Sequence, residues 1–180
     1  MVDWEPYKAL IEILSNDLIA AGQELNQPDL QLRRRTLFRA FFAQVEGETS
    51  LRKEFALLQH AERQTVFSEP ELAMLREEQY VLANNGEVRV QPKFLRLTDN
   101  LRFSFKAFAK AFGSSFELEV SGSGWDAFQR SIIVRNRITH PKTLTDLTVS
   151  DSAMEDIFKA IDWYKENGLN LLRSVPESLG

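Results

Sequence analysis

The sequence predicts an all-α fold, an up-and-down bundle of about five helices with a small β-hairpin inserted near residues 79–91. Three observations predict it. Apolar residues recur at helical spacing in several long segments, a turn dipeptide separates two short β-prone runs, and 43% of the 180 residues are hydrophobic. That content, which includes 13 Phe, is enough for one compact core, so we expect a single domain over residues 1–180.

Two amphipathic helices are predicted in the first third of the chain. The core positions of the first are Tyr7, Leu10, Ile11, Leu14, Leu18, Ala21 and Leu25. Pro28 separates it from a longer helix that runs to about residue 65, with a candidate kink at Gly47. The stripe of this second helix is Leu37, Phe38, Phe41, Phe42, Val45, Leu51, Phe55 and Leu58. Its basic run, Arg33–Arg35 with Arg39, is interpreted as a solvated face.

The middle of the chain predicts a short helix and then a hairpin. Glu69–Leu75 is the short helix, and the β-prone runs Tyr80–Leu82 and Val88–Val90 flank Asn85-Gly86. Because that dipeptide tolerates positive φ angles, it favours a type I′ turn.

Two further helices lie on either side of the segment that carries the motif. Thr98 or Asp99 is expected to cap the first, which ends at Gly113 and is followed by a loop at Ser121–Gly124. Its core positions are Leu101, Phe105, Phe108 and Phe112. The last helix is expected to begin at Ser150 or Ser152, to end near Gly168, and to bury Met154, Ile157, Phe158, Ile161 and Tyr164.

The helix between them begins with an apolar stripe and ends in a polar cluster. Trp125, Phe128 and Ile132 form the stripe, and its continuation is taken by Arg135, Asn136, Thr139 and His140. Burying charge is costly, so polar residues at these positions indicate a candidate site. Pro141 disfavours helix in the residue before it, which predicts that the helix ends close to His140.

This cluster resembles the signature of HEPN domains, in which an Arg and a polar residue are followed by His after four to six residues. Further segments are similar to a prokaryotic branch of that family: Phe38–Gly47, Pro92–Asn100, Ser123–Arg130 and Leu144–Ser150. The resemblance extends from about residue 30 to residue 165.

The resemblance implies a metal-independent endoribonuclease that is active as a homodimer through the motif helix. The 2′-hydroxyl of RNA would attack the phosphate and leave a 2′,3′-cyclic phosphate. Arg135 would bind the scissile phosphate, His140 would act as acid or base, and Asn136 would orient the imidazole or bind phosphate. The substrate-binding candidates are Arg130, Arg137, Thr139 and Lys142. Family toxins that pair with a nucleotidyltransferase carry Tyr where this chain has Lys142, so modification of such a Tyr is not implied.

Composition limits the other function classes. The net charge of −4 argues against nonspecific coating of nucleic acid. The absence of Cys excludes disulfides and thiolate sites, and with two His we expect no metal and no cofactor. His60 is interpreted as a structural or surface residue. No apolar run approaches the length of a membrane span, so we expect a cytoplasmic protein with no membrane partner.

Two other functions remain open alongside the ribonuclease. The chain could be a noncatalytic module that binds RNA or assembles with other proteins. Alternatively, Arg135 and Asn136 form a structural network or a salt bridge at a dimer interface, and His140 simply caps the helix. The biological settings that fit are antiphage defence, RNA processing, and a toxin controlled by an antitoxin or another regulatory partner.

Overall fold

The computed structural model describes residues 5–63 and 67–176. Within these ranges the helices are α1 (Glu5–Gln23), α2 (Leu30–Arg63), α3 (Glu69–Leu75), α4 (Leu97–Ala111), α5 (Gly122–Thr139) and α6 (Asp151–Arg173). Strands β1 (Glu78–Leu82) and β2 (Val88–Pro92) pair as an antiparallel hairpin, and 3-10 turns lie at Glu24–Asn26 and Leu144–Leu147. The predicted helical class with an inserted hairpin is confirmed. No helix in the described ranges combines the length and apolarity needed to cross a membrane.

The chain forms two compact units. Unit 1 comprises Met1–Glu48 and Glu119–Asn170, and unit 2 comprises Thr49–Leu118 and Leu171–Gly180. Helices α2 and α6 each contribute residues to both units. The single domain expected over residues 1–180 stays a prediction, and the motif at the end of α5 belongs entirely to unit 1.

Aromatic side chains form the core of unit 1. Phe41 of α2 lies edge-on to Phe128 of α5 and to Tyr164 of α6, with ring centroids 6.2 and 5.9 Å apart. Trp125 stacks on Phe128 at 5.7 Å and lies 5.3 Å from Trp163 of α6. Large rings at helical spacing bury much apolar area for each residue, so these contacts hold α2, α5 and α6 together.

Two glycines allow close helix contacts in unit 1. A Cβ atom at Gly47 of α2 would lie 2.5 Å from Leu14 Cδ1 of α1, and one at Gly124 would lie 2.7 Å from the Cβ of Trp163. Helix α2 runs through Gly47 without a break, and the kink expected there stays a prediction. The loop expected at Ser121–Gly124 is mostly the first turn of α5, so Gly124 lies where α5 meets α6.

Three predicted core residues are exposed. In α1, Leu10 and Ile11 are 40% and 38% exposed, and the buried residues of this helix are Leu18 and Ala21. In α6, Phe158 is 45% exposed, since it lies about 100° around the helix from the buried Ile157.

Several predicted boundaries also shift. Helix α4 begins at Leu97, so Thr98 and Asp99 lie inside its first turn and do not cap it, whereas Gly113 follows its end with a φ of 64°. Helix α6 continues past Gly168 to Arg173, since glycine lowers helix stability without forbidding helix.

The type I′ turn is a further correction. That turn needs positive φ at both central residues, and in the Asn85-Gly86 pair only Gly86, at 81°, has one. The amide of Gly86 donates to the carbonyl of Ala83, and the amide of Ala83 donates to the carbonyl of Glu87. The strands are therefore joined by a five-residue loop over residues 83–87.

Ion pairs join the elements of unit 2. Ser68 and Glu71 form a capping box at the start of α3, and Lys110 of α4 binds Glu71 at 2.8 Å. The Lys110 hydrogen bond, followed by the Ser68 backbone amide, lowers the pKa of Glu71 to about 2. Lys53 of α2 pairs with Glu77. Burial opposes the ionisation of Glu77, but its hydrogen bond and charge interaction with Lys53 outweigh burial and keep its pKa lowered.

Candidate functional site

The motif lies at the C-terminal end of α5, on its accessible side. The buried residues of this helix are Trp125, Ala127, Phe128, Ser131 and Ile138. Ile138 takes the last core position, so the expectation that polar motif residues replace core residues is wrong. Asn136 and His140 are exposed, and the side chain of Arg135 is 27% exposed. The helix ends directly before His140, as Pro141 predicts.

Arg135 is held by its neighbours in unit 1. One guanidinium nitrogen forms an ion pair with Glu46 of α2, and another donates to Asn136 Oδ1 at 3.1 Å. The hydroxyl of Thr139 donates to the Arg135 carbonyl at 2.7 Å, so Thr139 bonds within its own helix. A guanidinium has five N–H donors, and these two bonds leave donors for an anion.

Glu46 is the residue that sequence reasoning missed. It lies in the segment Phe38–Gly47 that resembles the family, directly after the buried Val45, and its side chain is 45% exposed. An acidic residue beside an apolar stripe is ordinarily solvated, so the sequence gives only a weak signal. Folding brings Glu46 to Arg135 across 89 positions of the chain.

Two of the predicted substrate-binding arginines also bind protein groups. Arg130 forms two hydrogen bonds with Asp156 of α6, at 2.8 and 2.7 Å. That pairing raises the pKa of Arg130 and lowers the pKa of Asp156. Arg137 donates to the carbonyl of Thr148 at 2.7 Å. Neither guanidinium is a fully free cation in this structure.

His140 and Lys142 differ from these arginines. Both are exposed, and among the described residues neither side chain has a hydrogen-bond or ion-pair partner. The main chain around them is fixed, because the His140 amide donates to the Asn136 carbonyl and the Lys142 amide donates to Asp146 Oδ2. The backbone amides of Lys142 and Thr143 lower the pKa of Asp146. The two side chains thus extend from an ordered turn toward solvent.

The segment that follows this turn is held by arginine side chains of α2 and α5. Three successive carbonyls, at residues 147–149, accept hydrogen bonds from Arg35, Arg137 and Arg34 at 2.9, 2.7 and 2.8 Å. The side chain of Gln31 bonds both the amide and the carbonyl of residue 149. The interpretation of the basic run on α2 as a solvated face is therefore wrong for Arg34 and Arg35, whereas Arg39 is exposed. Arg34 and Arg35 anchor the segment that follows the motif.

A groove of about 450 Å³ lies between α1 and α2, near the same end of α5. Arg39 lines it and also donates to the carbonyl of Ile138 at 3.4 Å. Asp17 and Glu24 form part of the same wall. Arg33 already pairs with Glu24, and Asp17 balances Arg39, so the groove has no excess positive charge that would attract a phosphate.

The rest of the chain offers few alternatives. In unit 2, the ring of His60 lies 5.8 Å from that of Phe67, which fits a structural role. Among the described residues, no three His, Cys, Asp or Glu side chains come close enough to share a metal ion. No protein-family model, curated protein or solved structure matches the chain.

Proposed function

We propose that this chain is a metal-independent endoribonuclease of the HEPN type that works as a homodimer. It cleaves RNA by attack of a 2′-hydroxyl on the adjacent phosphate and leaves a 2′,3′-cyclic phosphate. One observation carries the proposal. The exposed imidazole of His140, which no described residue binds, lies at the same end of α5 as the guanidinium of Arg135, which Glu46 holds in place.

Each group fits one step of this reaction. The Arg135 donors not used by Glu46 and Asn136 stabilise the charge that develops on the phosphorane oxygens. His140 exchanges protons with the 2′-hydroxyl or with the leaving 5′-oxygen, because no side chain or backbone group of residues 5–63 and 67–176 binds its ring nitrogens. The oxygen of Asn136 accepts from Arg135, so its amide NH₂ is the part left to bind phosphate or the imidazole. Lys142 adds a free cation for the RNA backbone.

The need for both an acid and a base supports a dimer. One chain brings a single imidazole to this site, whereas a twofold axis through α5 brings two. The accessible side of α5 carries Asp126, Gln129, Ile133, Asn136 and His140, all exposed. Their spacing alternates between three and four residues, which is the spacing of a helix–helix seam. Ile133, at 68% exposure, is the apolar residue at its centre.

The test is cleavage of end-labelled single-stranded RNA and transfer RNA in EDTA. We expect the wild type to produce 2′,3′-cyclic phosphate ends, and His140→Ala to lose at least 100-fold of the rate with its helical content unchanged. His60→Ala is the matched control, because it removes the other imidazole of the chain. Equal cleavage by His140→Ala, or cleavage abolished by EDTA, would contradict the proposal.

A second candidate is a noncatalytic RNA-binding or assembly module. It is favoured by the pairing of Arg130, Arg135 and Arg137 with protein groups, which is what a structural network requires. An RNA-binding module would bind RNA with a salt-dependent affinity, whereas an assembly module would not bind RNA. In both cases His140→Ala would behave like the wild type in the cleavage assay. Arg135→Ala would then lower the free energy of unfolding without any change in RNA chemistry.

A further inference from the structure

We propose that one face of the β1–β2 hairpin is a self-association surface, which packs against the same face of a second copy of this chain. The hairpin face consists of Tyr80, Leu82, Val88 and Val90. It belongs to unit 2, so the contact differs from the α5 seam of unit 1. The hairpin contact does not depend on the proposed ribonuclease, whereas the tetramer expected below also requires the α5 seam of that proposal.

The register places these four residues on one face. Tyr80 pairs with Val90 and Leu82 pairs with Val88, and side chains along a strand alternate between faces. Their exposed fractions are 58%, 73%, 68% and 54% in the order of the chain. Phe94, two residues beyond β2 and of the same parity, is 95% exposed. The hairpin therefore has an apolar face that no described part of the chain covers.

Such a face is costly when it is left in water. An isolated two-stranded hairpin is marginally stable, and it gains stability when its apolar face packs against another layer. The five side chains expose on the order of 500 Å², more than half of the roughly 800 Å² that each partner contributes to a stable interface. The adjoining backbone and the ends of the strands can supply the remainder. The face thus supplies a large part of the area that each partner of a stable dimer buries.

The chemistry of the face favours a second copy over a charged partner. None of the four side chains is charged, and Glu78, which pairs with Pro92 at the edge of the same face, is acidic. A nucleic acid or a charged peptide would therefore bury its charges against apolar groups. The charges near the turn, Glu87 and Arg89, pair with each other at 3.5 Å. A twofold axis places apolar side chains against identical apolar side chains, which needs no further complementarity. Face-to-face packing of two sheets at about 10 Å is an ordinary geometry for such side chains.

Two self-associating surfaces on one chain give assemblies larger than a dimer. If the α5 seam and the hairpin face both pair with their own copies, each chain contacts two others. We expect the wild type to have at least the mass of a tetramer at micromolar concentration. An Ile133→Glu variant, which blocks the seam, is expected to be a dimer through the hairpin.

The test uses the full chain in the Ile133→Glu background. Leu82→Lys with Val88→Lys places two charges on the hairpin face, and Gln79→Lys with Gln91→Lys places the same charges on the opposite face of the same strands. Sedimentation velocity is expected to give a monomer for the first pair, with at least tenfold weaker association, and a dimer for the second. Equal masses for the two pairs would overturn the proposal.

A cross-link provides a second test that needs no charged substitution. The chain has no Cys, so Val90→Cys introduces a single thiol on the hairpin face. A short bismaleimide should join two copies of this variant, whereas Gln91→Cys, on the other face, should remain uncrosslinked. Equal yields at the two positions, or no covalent dimer from Val90→Cys, would overturn self-association. If Val90→Cys gave no covalent dimer, the hairpin face would instead be covered by a different protein with an apolar surface.

Discussion

The arginines in the second half of α5 lie close in sequence to His140 and Lys142, but their side chains make different contacts. Arg130, Arg135 and Arg137 each bind a carboxylate or a carbonyl, whereas no described residue holds the side chains of His140 and Lys142. A motif that is rich in charged residues can therefore contain few charges that are unpaired. The fold positions the guanidinium groups and leaves one imidazole and one ammonium to an incoming ligand.

We expect the largest effect from removing a part-buried arginine that anchors the segment after the motif. Arg34→Met breaks the hydrogen bond to the Val149 carbonyl and the ion pair with Asp151, and should lower the free energy of unfolding by about 2 kcal/mol. Arg130→Met removes an exposed ion pair and should lower it by clearly less. Urea titrations measure both. Similar losses would mean that the part-buried anchors are no stronger than surface pairs.

A second prediction concerns Glu46 as a positioning residue. Glu46→Ala frees the Arg135 guanidinium to adopt other orientations, and should lower kcat about tenfold with little change in KM. Glu46→Gln keeps a hydrogen-bond acceptor and should restore much of the rate. Single-turnover cleavage of RNA measures both variants. A purely structural Glu46 would instead give a lower Tm with kcat unchanged in the folded fraction.

Free and paired cations should also differ in their response to salt. Lys142→Ala removes a cation that has no partner in the part of the chain that the structure describes, so it should reduce the slope of log affinity against log salt by about 1. Arg130→Ala removes a guanidinium that Asp156 already neutralises, and should reduce the slope by clearly less. Fluorescence anisotropy with a labelled RNA, from about 50 to 200 mM salt, gives the slopes. Equal reductions would show that RNA displaces Asp156 from Arg130.

The smallest effect is expected in unit 2, at an ion pair remote from the motif in sequence. Because the pKa of Glu71 is lowered to about 2, its pairing with Lys110 stabilises the fold above pH 4.5 and is lost as the pH falls toward 2. The group is partly exposed, so the contribution is about 1 kcal/mol after solvent screening. Glu71→Gln should be less stable than the wild type at pH 6, and the gap should close toward pH 2.

Local features of the fold could be predicted from the sequence. Helical spacing indicated the helices, the residue pair Asn85-Gly86 indicated the hairpin, and Pro141 indicated where α5 ends. These features depend on the conformational preferences of neighbouring residues.

Contacts between distant segments could not be predicted. The ion pair of Arg135 with Glu46 and the anchoring of Val149 by Arg34 join residues 89 and 115 positions apart. The exposure of Leu10 and Ile11 has the same origin, because the width of the buried strip on α1 depends on what packs against it. The roles of Arg135, Asn136 and His140 in RNA cleavage stay predictions.

The close contact at Gly124 has a spectroscopic consequence. Trp125 of α5 and Trp163 of α6 lie 5.3 Å apart where the missing side chain of Gly124 lets the two helices meet. The chain has three Trp, and these two form a buried pair whose emission depends on the spacing of α5 and α6. Intrinsic fluorescence therefore gives a label-free signal for any displacement of the motif helix when RNA or a second chain binds at its far end.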